Sequence, residues 1–181
     1  VEHYPDNIAY KFKKNFKKEN EILVEKTYKE IKEEIESFST ALLNMGLENK
    51  KVAVIGSNRY EWCVTYLAAT TGNMVIVPLD KALPTGEIEN LIKISKADAV
   101  VYENKFAEVF NKIKEENTSN LTTYINMDLD NQKDGILSFK ELVEEGKELI
   151  KNGNDSYNKI KMDNEKMSIL LFTSGTTAMA K

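Results

Sequence analysis

The chain from Lys51 onward predicts a parallel, doubly wound α/β sheet, and three observations carry that prediction. Apolar runs of strand length recur at Val52–Ile55, Met74–Val77, Ala99–Tyr102 and Leu121–Asn126. These runs lack the polar alternation of a strand with one wet face, as expected of strands covered on both sides. Between them the apolar residues take helical spacing, most plainly Phe106, Val109, Phe110 and Ile113 at i, i+3, i+4 and i+7. Strand, helix, strand repeated in this way calls for right-handed crossovers and a Rossmann-like layering with helices on both faces.

The elements follow in order. Ile8–Lys13 and Glu21–Lys26 are β-prone runs flanking KKNFKKEN, which reads as a hairpin with a solvated tip. Lys11, Lys13, Lys14, Lys17 and Lys18, interleaved with Phe12 and Phe16, also have the look of a membrane or RNA patch, but the acidic total favours a solvated hairpin. Thr27-x-x-Glu30 is a capping box opening a helix whose inner face is Ile31, Ile35, Phe38, Leu42 and Met45, with Gly46 placed to end it. Gly56-Ser57-Asn58 turns the first sheet strand into a helix over Tyr60–Thr71, apolar nearly all round, in which Cys63 reads as a packed, inert thiol. Pro78-Leu79-Asp80 closes the next strand, and Ile88, Leu91 and Ile92 mark the inward face of a helix after Pro84. Ser138-x-x-Glu141 is a second capping box, for a helix running to Ile150. Residues 151–166, KNGNDSYNKIKMDNEK, are polar and without period, a surface linker before the last apolar run.

One stretch imitates a metal site. Asp130, Gln132, Asp134, Gly135, Leu137, Ser138 and Glu141 approach the spacing of an EF-hand loop. The preceding Leu121–Asn126 reads as a strand rather than the incoming helix an EF-hand needs, and Glu141 already has a capping role, so no calcium is expected there.

Composition narrows the function. A net charge of −4 implies no polyanionic partner, and a single arginine, Arg59, removes the usual residue for bidentate readout of bases, so nucleic acid is excluded. Cys63 is the only cysteine, which rules out an internal disulfide and a cysteine-based zinc site and fits a reducing, cytoplasmic compartment. His3, the only histidine, reads as a solvated terminal residue. No apolar run approaches a membrane span, and the first ten residues, VEHYPDNIAY, lack the regions of a signal peptide.

Chemistry concentrates at MSILLFTSGTTAMAK, residues 167–181. Ile169–Phe172 has the length and composition of a buried strand and opens into a loop suited to phosphate. Gly175 can take positive φ, successive N–H groups can form an anion nest, the hydroxyls of Thr173, Ser174, Thr176 and Thr177 would add donors, and Lys181 would bring a compact cation.

From Leu171 through Thr177 to Lys181 the chain resembles the phosphate-loop signature of the adenylate-forming superfamily, which includes acyl-CoA synthetases, luciferases and peptide-synthetase adenylation domains. KTYKEIKEEIESFSTALLNMGL is similar to that family's first helix, and LAATTGNMVIVPLDKALPTGEIENLI to its next shared segment. The order of segments is most similar to bacterial long-chain fatty acyl-CoA ligases. The resemblance implies a two-step reaction: a carboxylate attacks the α-phosphate of ATP, with magnesium assisting, and coenzyme A then displaces AMP to form a thioester. It implies that Thr173, Ser174, Gly175, Thr176, Thr177 and Lys181 grip the β- and γ-phosphates. Lys181 would neutralise the leaving pyrophosphate. Ala178 and Ala180 depart from the family's usual glycine and proline, leaving the loop less free at the first and less constrained at the second.

The resemblance further implies that residues 1–181 are the N-terminal part of a large AMP-binding domain: helix and β-α units over 27–150, linker over 151–166, strand and phosphate loop over 167–181. The adenine pocket, magnesium ligand, ribose-binding aspartate and catalytic lysine of the family lie beyond that part, so the expected partners are the small molecules ATP, fatty acid and coenzyme A, acting on a longer parent. Other adenylate-forming enzymes, aryl-CoA ligases or peptide-synthetase adenylation domains, and a non-catalytic nucleotide-binding module are the competing readings. An ordinary P-loop NTPase is a poor third reading, because the sequence has no G-x-x-x-x-G-K-[ST] segment.

Overall fold

A computed structural model describes residues 1–14, 19 and 21–173. The hairpin consists of β1 (Ile8–Lys14) and β2 (Ile22–Thr27), paired antiparallel with Phe12 opposite Val24. Most of its expected solvated tip lies outside the described residues. Five helices follow: α1 (Tyr28–Asn44), α2 (Tyr60–Thr71), α3 (Thr85–Ser95), α4 (Ala107–Glu116) and α5 (Phe139–Lys151). They alternate with β3 (Lys51–Ile55), β4 (Val75–Pro78), β5 (Ala99–Tyr102), β6 (Thr123–Asn126) and β7 (Leu137–Ser138).

The last five strands form one parallel sheet in the order β4-β3-β5-β6-β7. Burial is nearly complete for Val52–Ile55 and Ala99–Tyr102, the central pair, which is why their sequences are apolar without alternation. Odd and even positions serve different cores. Val52, Val54, Ile76, Val101 and Ile125 point to α1, α2 and α5, whereas Ala53, Ile55, Val77, Val100 and Tyr102 point to α3 and α4. The predicted layering, with helices on both faces and a hairpin ahead, is therefore the observed one.

The hairpin rests on the α1/α2 side, where Phe12 stacks on Tyr60 with ring centroids 4.8 Å apart and Tyr10 meets the same ring edge-on at 5.9 Å. The first capping box is complete: the Glu30 N–H donates to Thr27 Oγ1 at 3.2 Å, and the Thr27 N–H donates to Glu30 Oε2 at 2.8 Å. Gly46 ends that helix at φ +79°, a left-handed turn that glycine takes without strain.

Several expectations are corrected. The second capping box is only half made, because the Ser138 hydroxyl accepts from the Glu141 N–H at 3.3 Å while the Glu141 carboxylate turns away to the Gln132 N–H at 2.5 Å. Asp130 likewise pairs with Lys140 at 2.9 Å, so two carboxylates of the EF-hand-like stretch are spent on protein partners, and the incoming element is β6. The same stretch contributes β7, a two-residue strand too short to stand out in sequence. The linker is not featureless: a 3-10 turn at Tyr157–Lys159 lies against α1. Cys63 is half-buried rather than enclosed.

The largest correction concerns Ile169–Phe172. It lies beside β4 in the parallel sense, with one bridge between Ile76 and Ile169, the Ile76 N–H donating to Ser168 O and the Leu170 N–H to Ile76 O, both at 2.9 Å. Leu170 and Phe172 pack on the α3/α4 core, but Ile169 is 37% exposed and Leu171 64%. The segment is a half-covered edge: Leu170 and Phe172 join one core, while Ile169 and Leu171 join neither of the two.

Candidate functional site

Parallel strands in register end at one level, and here that level is set by Ile55, Tyr102 and Asn126, which are mutual partners across β3, β5 and β6. α2 leaves β3 toward one face and α4 leaves β5 toward the other, so the crevice between β3 and β5 is the topological switch point, where open α/β sheets receive ligands. In this chain the crevice is filled by its own charges. The Ser57 N–H donates to Glu103 Oε2 at 2.7 Å, and Lys105 Nζ lies 3.2 Å from that oxygen and 3.0 Å from Ser57 Oγ. The Asn104 N–H donates to Asp128 Oδ2 at 2.7 Å. Arg59 completes the frame, giving Nη1 to Asp128 Oδ1 and Nε to Glu61 Oε2, each at 2.6 Å.

The electrostatics match that geometry. Burial alone would pull the Arg59 guanidinium down, but its bonds to Glu61 and Asp128 prevail and raise it above its ordinary value. Burial would push the Glu103 carboxyl up, yet the Ser57 N–H and Lys105 hold it below the usual glutamate range. Burial raises the Tyr102 phenol to about 12, leaving it neutral at physiological pH. Nothing in this frame pairs a nucleophile with a base; it ties the loops after β3, β5 and β6 together. Between the frame and the hairpin lies a groove of about 1000 Å³ with Lys11, Lys14, Asn58 and Asp128 on its walls.

The segment that leads toward the expected phosphate loop runs along the other side of β4, bonded there through Ser168 and Leu170. Thr173 is described, exposed and irregular, three residues past the Leu170 hydrogen bond. Ser174, Gly175, Thr176, Thr177 and Lys181, with Ala178 and Ala180, lie outside the described residues. The segment from Ser168 to Thr173 runs parallel to β4, toward the carboxyl edge of the sheet, where a turn follows β4. That turn is shaped by Asp80, whose Oδ1 accepts from the Ala82 N–H at 2.9 Å, and Lys81 Nζ reaches Asn58 Oδ1 at 3.5 Å. Among the described residues no group of three or more His, Cys, Asp or Glu side chains converges as a metal-binding set. No helix among them is long and apolar enough to cross a membrane.

Sequence reading missed the charge frame. Glu61 stands two residues from Arg59, but Asp128 is 69 residues away and only the strand order brings it there.

Comparison with known proteins gives a consistent answer. A family model described as AMP-binding enzyme matches residues 1–181. The chain is 26% identical over 173 residues to the human mitochondrial medium-chain acyl-CoA ligase ACSF2, covering 86% of this chain and 28% of that protein. It is 29% identical over 169 residues to long-chain-fatty-acid–CoA ligase 5 of Mus musculus, covering 86% and 24%. The chain therefore spans about a quarter of the length of the curated relatives it matches. Among solved structures, a long-chain-fatty-acid-CoA ligase from Archaeoglobus fulgidus superposes with a TM-score of 0.74 at 17% identity, over 97% of this chain and 33% of that one. The N-terminal domain of FACL13 from Mycobacterium tuberculosis gives 0.68 at 20% identity, over 87% and 36%. At these identities the two structures speak for the fold.

Proposed function

The chain belongs to the AMP-binding enzyme family, and on that premise we propose that it is the N-terminal part of an ATP-dependent acyl-CoA ligase. The parent activates a fatty acid as its acyl-adenylate, releasing pyrophosphate, and transfers the acyl group to coenzyme A with release of AMP. The observation that carries this reading is the family match over residues 1–181 together with the hydroxyl-rich signature from Thr173 to Lys181, which follows a segment aligned with β4 at the carboxyl edge of the sheet. The fatty-acid substrate is supported by the names of the human and mouse relatives.

In this reading Thr173, Ser174, Thr176 and Thr177 give hydroxyl or backbone donors to the β- and γ-phosphates, Gly175 makes the turn, and Lys181 neutralises charge accumulating on pyrophosphate. Magnesium would ride on the triphosphate, with no protein ligand assigned among the described residues. Residues 1–181 alone complete no catalytic cycle here, since the adenine site and catalytic lysine belong to the rest of the parent. The reading places the parent in the cytoplasm, although the human relative's name is mitochondrial and an Arabidopsis thaliana relative's is chloroplastic; cell fractionation distinguishes these. The direct test is pyrophosphate–ATP exchange by the full-length parent. Exchange dependent on a medium- or long-chain fatty acid is expected, and no exchange with any carboxylate refutes the ligase reading.

A further inference from the structure

We propose that the cavity at the carboxyl ends of β5 and β6 is a binding site for an uncharged, polyhydroxylated molecule, a sugar either free or as the ribose of a nucleoside. The cavity measures about 710 Å³, within the range that takes small ligands, and lies one strand beyond the crevice filled by the charge frame. Tyr102, Asn104 and Asn126 line it from the sheet. α4 contributes Ala107, Asn111 and Lys114, a stripe at i, i+4 and i+7, and the connection from β6 to β7 closes the far side with Leu129 and Ile136.

Its hydrogen-bonding capacity is largely unspent. Tyr102 and Asn126 are 1% and 2% exposed, so the back of the cavity is polar and buried. Asn126 is committed, donating to Asn104 Oδ1 at 3.0 Å and accepting from the Asp128 N–H at 2.8 Å. Tyr102 keeps its proton at physiological pH, and no acceptor among the described residues takes it. The Asn104 amide nitrogen and both ends of the Asn111 carboxamide are also without a partner among those residues. The charges on the walls cancel, Lys114 and Lys133 against Glu115 and Asp134. Lys114 is further occupied, because Nζ donates to Asp134 O at 2.7 Å and lies 5.8 Å from the Tyr124 ring centroid. A neutral lining favours no phosphate, carboxylate or ammonium ligand. Mixed donors and acceptors instead match hydroxyl groups, each of which both gives and accepts.

The rim is preformed, which lowers the ordering cost of binding. Lys133 and Ile136 exchange both main-chain hydrogen bonds, at 2.9 and 2.8 Å, around a turn whose central residues, Asp134 and Gly135, have φ of +52° and +71°. A Cβ at Gly135 would meet Lys114 Nζ at 2.8 Å, so glycine lets the lysine lie against the turn. The stretch that imitates an EF-hand therefore shapes the edge of this cavity.

The assignment does not depend on the ligase reading, and its test uses no ligase activity. Maltose and adenosine are each titrated at millimolar concentration into the isotopically labelled 181-residue chain. Saturable shifts of the Asn104, Asn111 and Gly135 amides are expected, with maltose if the ligand is a free sugar and with adenosine if it is a nucleoside, and none with glycerol at equal hydroxyl concentration. Asn111→Ala removes an exposed side chain that has no partner, so it leaves the fold intact and is expected to weaken binding about tenfold, the scale of two lost hydrogen bonds. Lys112→Ala, on the side of the same helix that pairs with Glu89 of α3, leaves the affinity unchanged. No saturable shift with either probe, equal shifts with glycerol, undiminished binding in N111A, or AMP binding tighter than adenosine overturns the assignment.

Discussion

Gly146, in the middle of α5, is the position at which a single methyl group tests the packing most severely. A Cβ built there would lie 2.9 Å from Ser37 Cα and closer still to the carbonyl carbon and oxygen of Ser37, so the obstacle is the backbone of α1, which has no rotamer to change. Restoring ordinary contact requires the α1–α5 seam to open by about 1.5 Å. That opening also pulls apart Phe38 and Phe139, whose rings sit 4.5 Å apart in the same seam, and loosens Leu142 and Val143. Overpacking of this kind costs about 3 kcal/mol at the upper end of its range, and the better helix propensity of alanine returns about 1 kcal/mol. Gly146→Ala is thus expected to destabilise by about 2 kcal/mol, lowering the urea midpoint by about 1 M for a slope near 2 kcal/mol/M. Gly86, in the first turn of α3, has nothing within 4 Å of the added atom and serves as the control, since Gly86→Ala is expected to be neutral or mildly stabilising. Urea unfolding followed by circular dichroism reads both. A G146A midpoint equal to or above wild type would refute the close approach of α1 and α5.

Two further predictions concern the charge frame. Arg59→Lys keeps the charge but cannot bridge Glu61 and Asp128 with two separate nitrogens, so it is expected to lose about 1–3 kcal/mol, nearly as much as Arg59→Ala, by thermal melting. Full rescue by lysine would mean that the fork geometry is unimportant. Glu103 has a folded pKa held below its unfolded value, so its contribution is present above the unfolded value of about 4.3 and is lost as pH falls through the lower folded value. Stability measured from pH 6 to pH 3 should therefore decline less steeply in Glu103→Gln than in wild type; parallel curves would remove Glu103 from the acid response.

The sheet and its helices were legible because each reports on itself locally. Ile88, Leu91 and Ile92, or Phe106, Val109, Phe110 and Ile113, carry their period within a few residues, and all are buried where that period puts them. Thr27 and Glu30 carry both halves of a cap within one turn. Ser138 and Glu141 carry the same pattern, yet a loop nine residues upstream competes for the Glu141 carboxylate through the Gln132 N–H, and no local rule ranks the two donors. The frame around Arg59 was hidden for a related reason, since its members come from the loops after β3, β5 and β6, whose adjacency is set by the fold. Ile169–Phe172 misled because composition reports how apolar a run is and not how many neighbours it has. Of the phosphate-site residues, Thr173 alone falls within the described part.

The half-covered segment beside β4 has a consequence for handling the 181-residue chain. At the opposite margin β7 has only two residues, backed by α5, and offers almost no ladder to a foreign strand. Beside β4, Met167, Ile169 and Leu171 alternate as exposed apolar side chains along a stretch bonded to the sheet at one bridge. Self-association of the chain should therefore start at that margin, making colloidal behaviour in concentrated solution polar in the geometric sense: one sticky side and one blunt one.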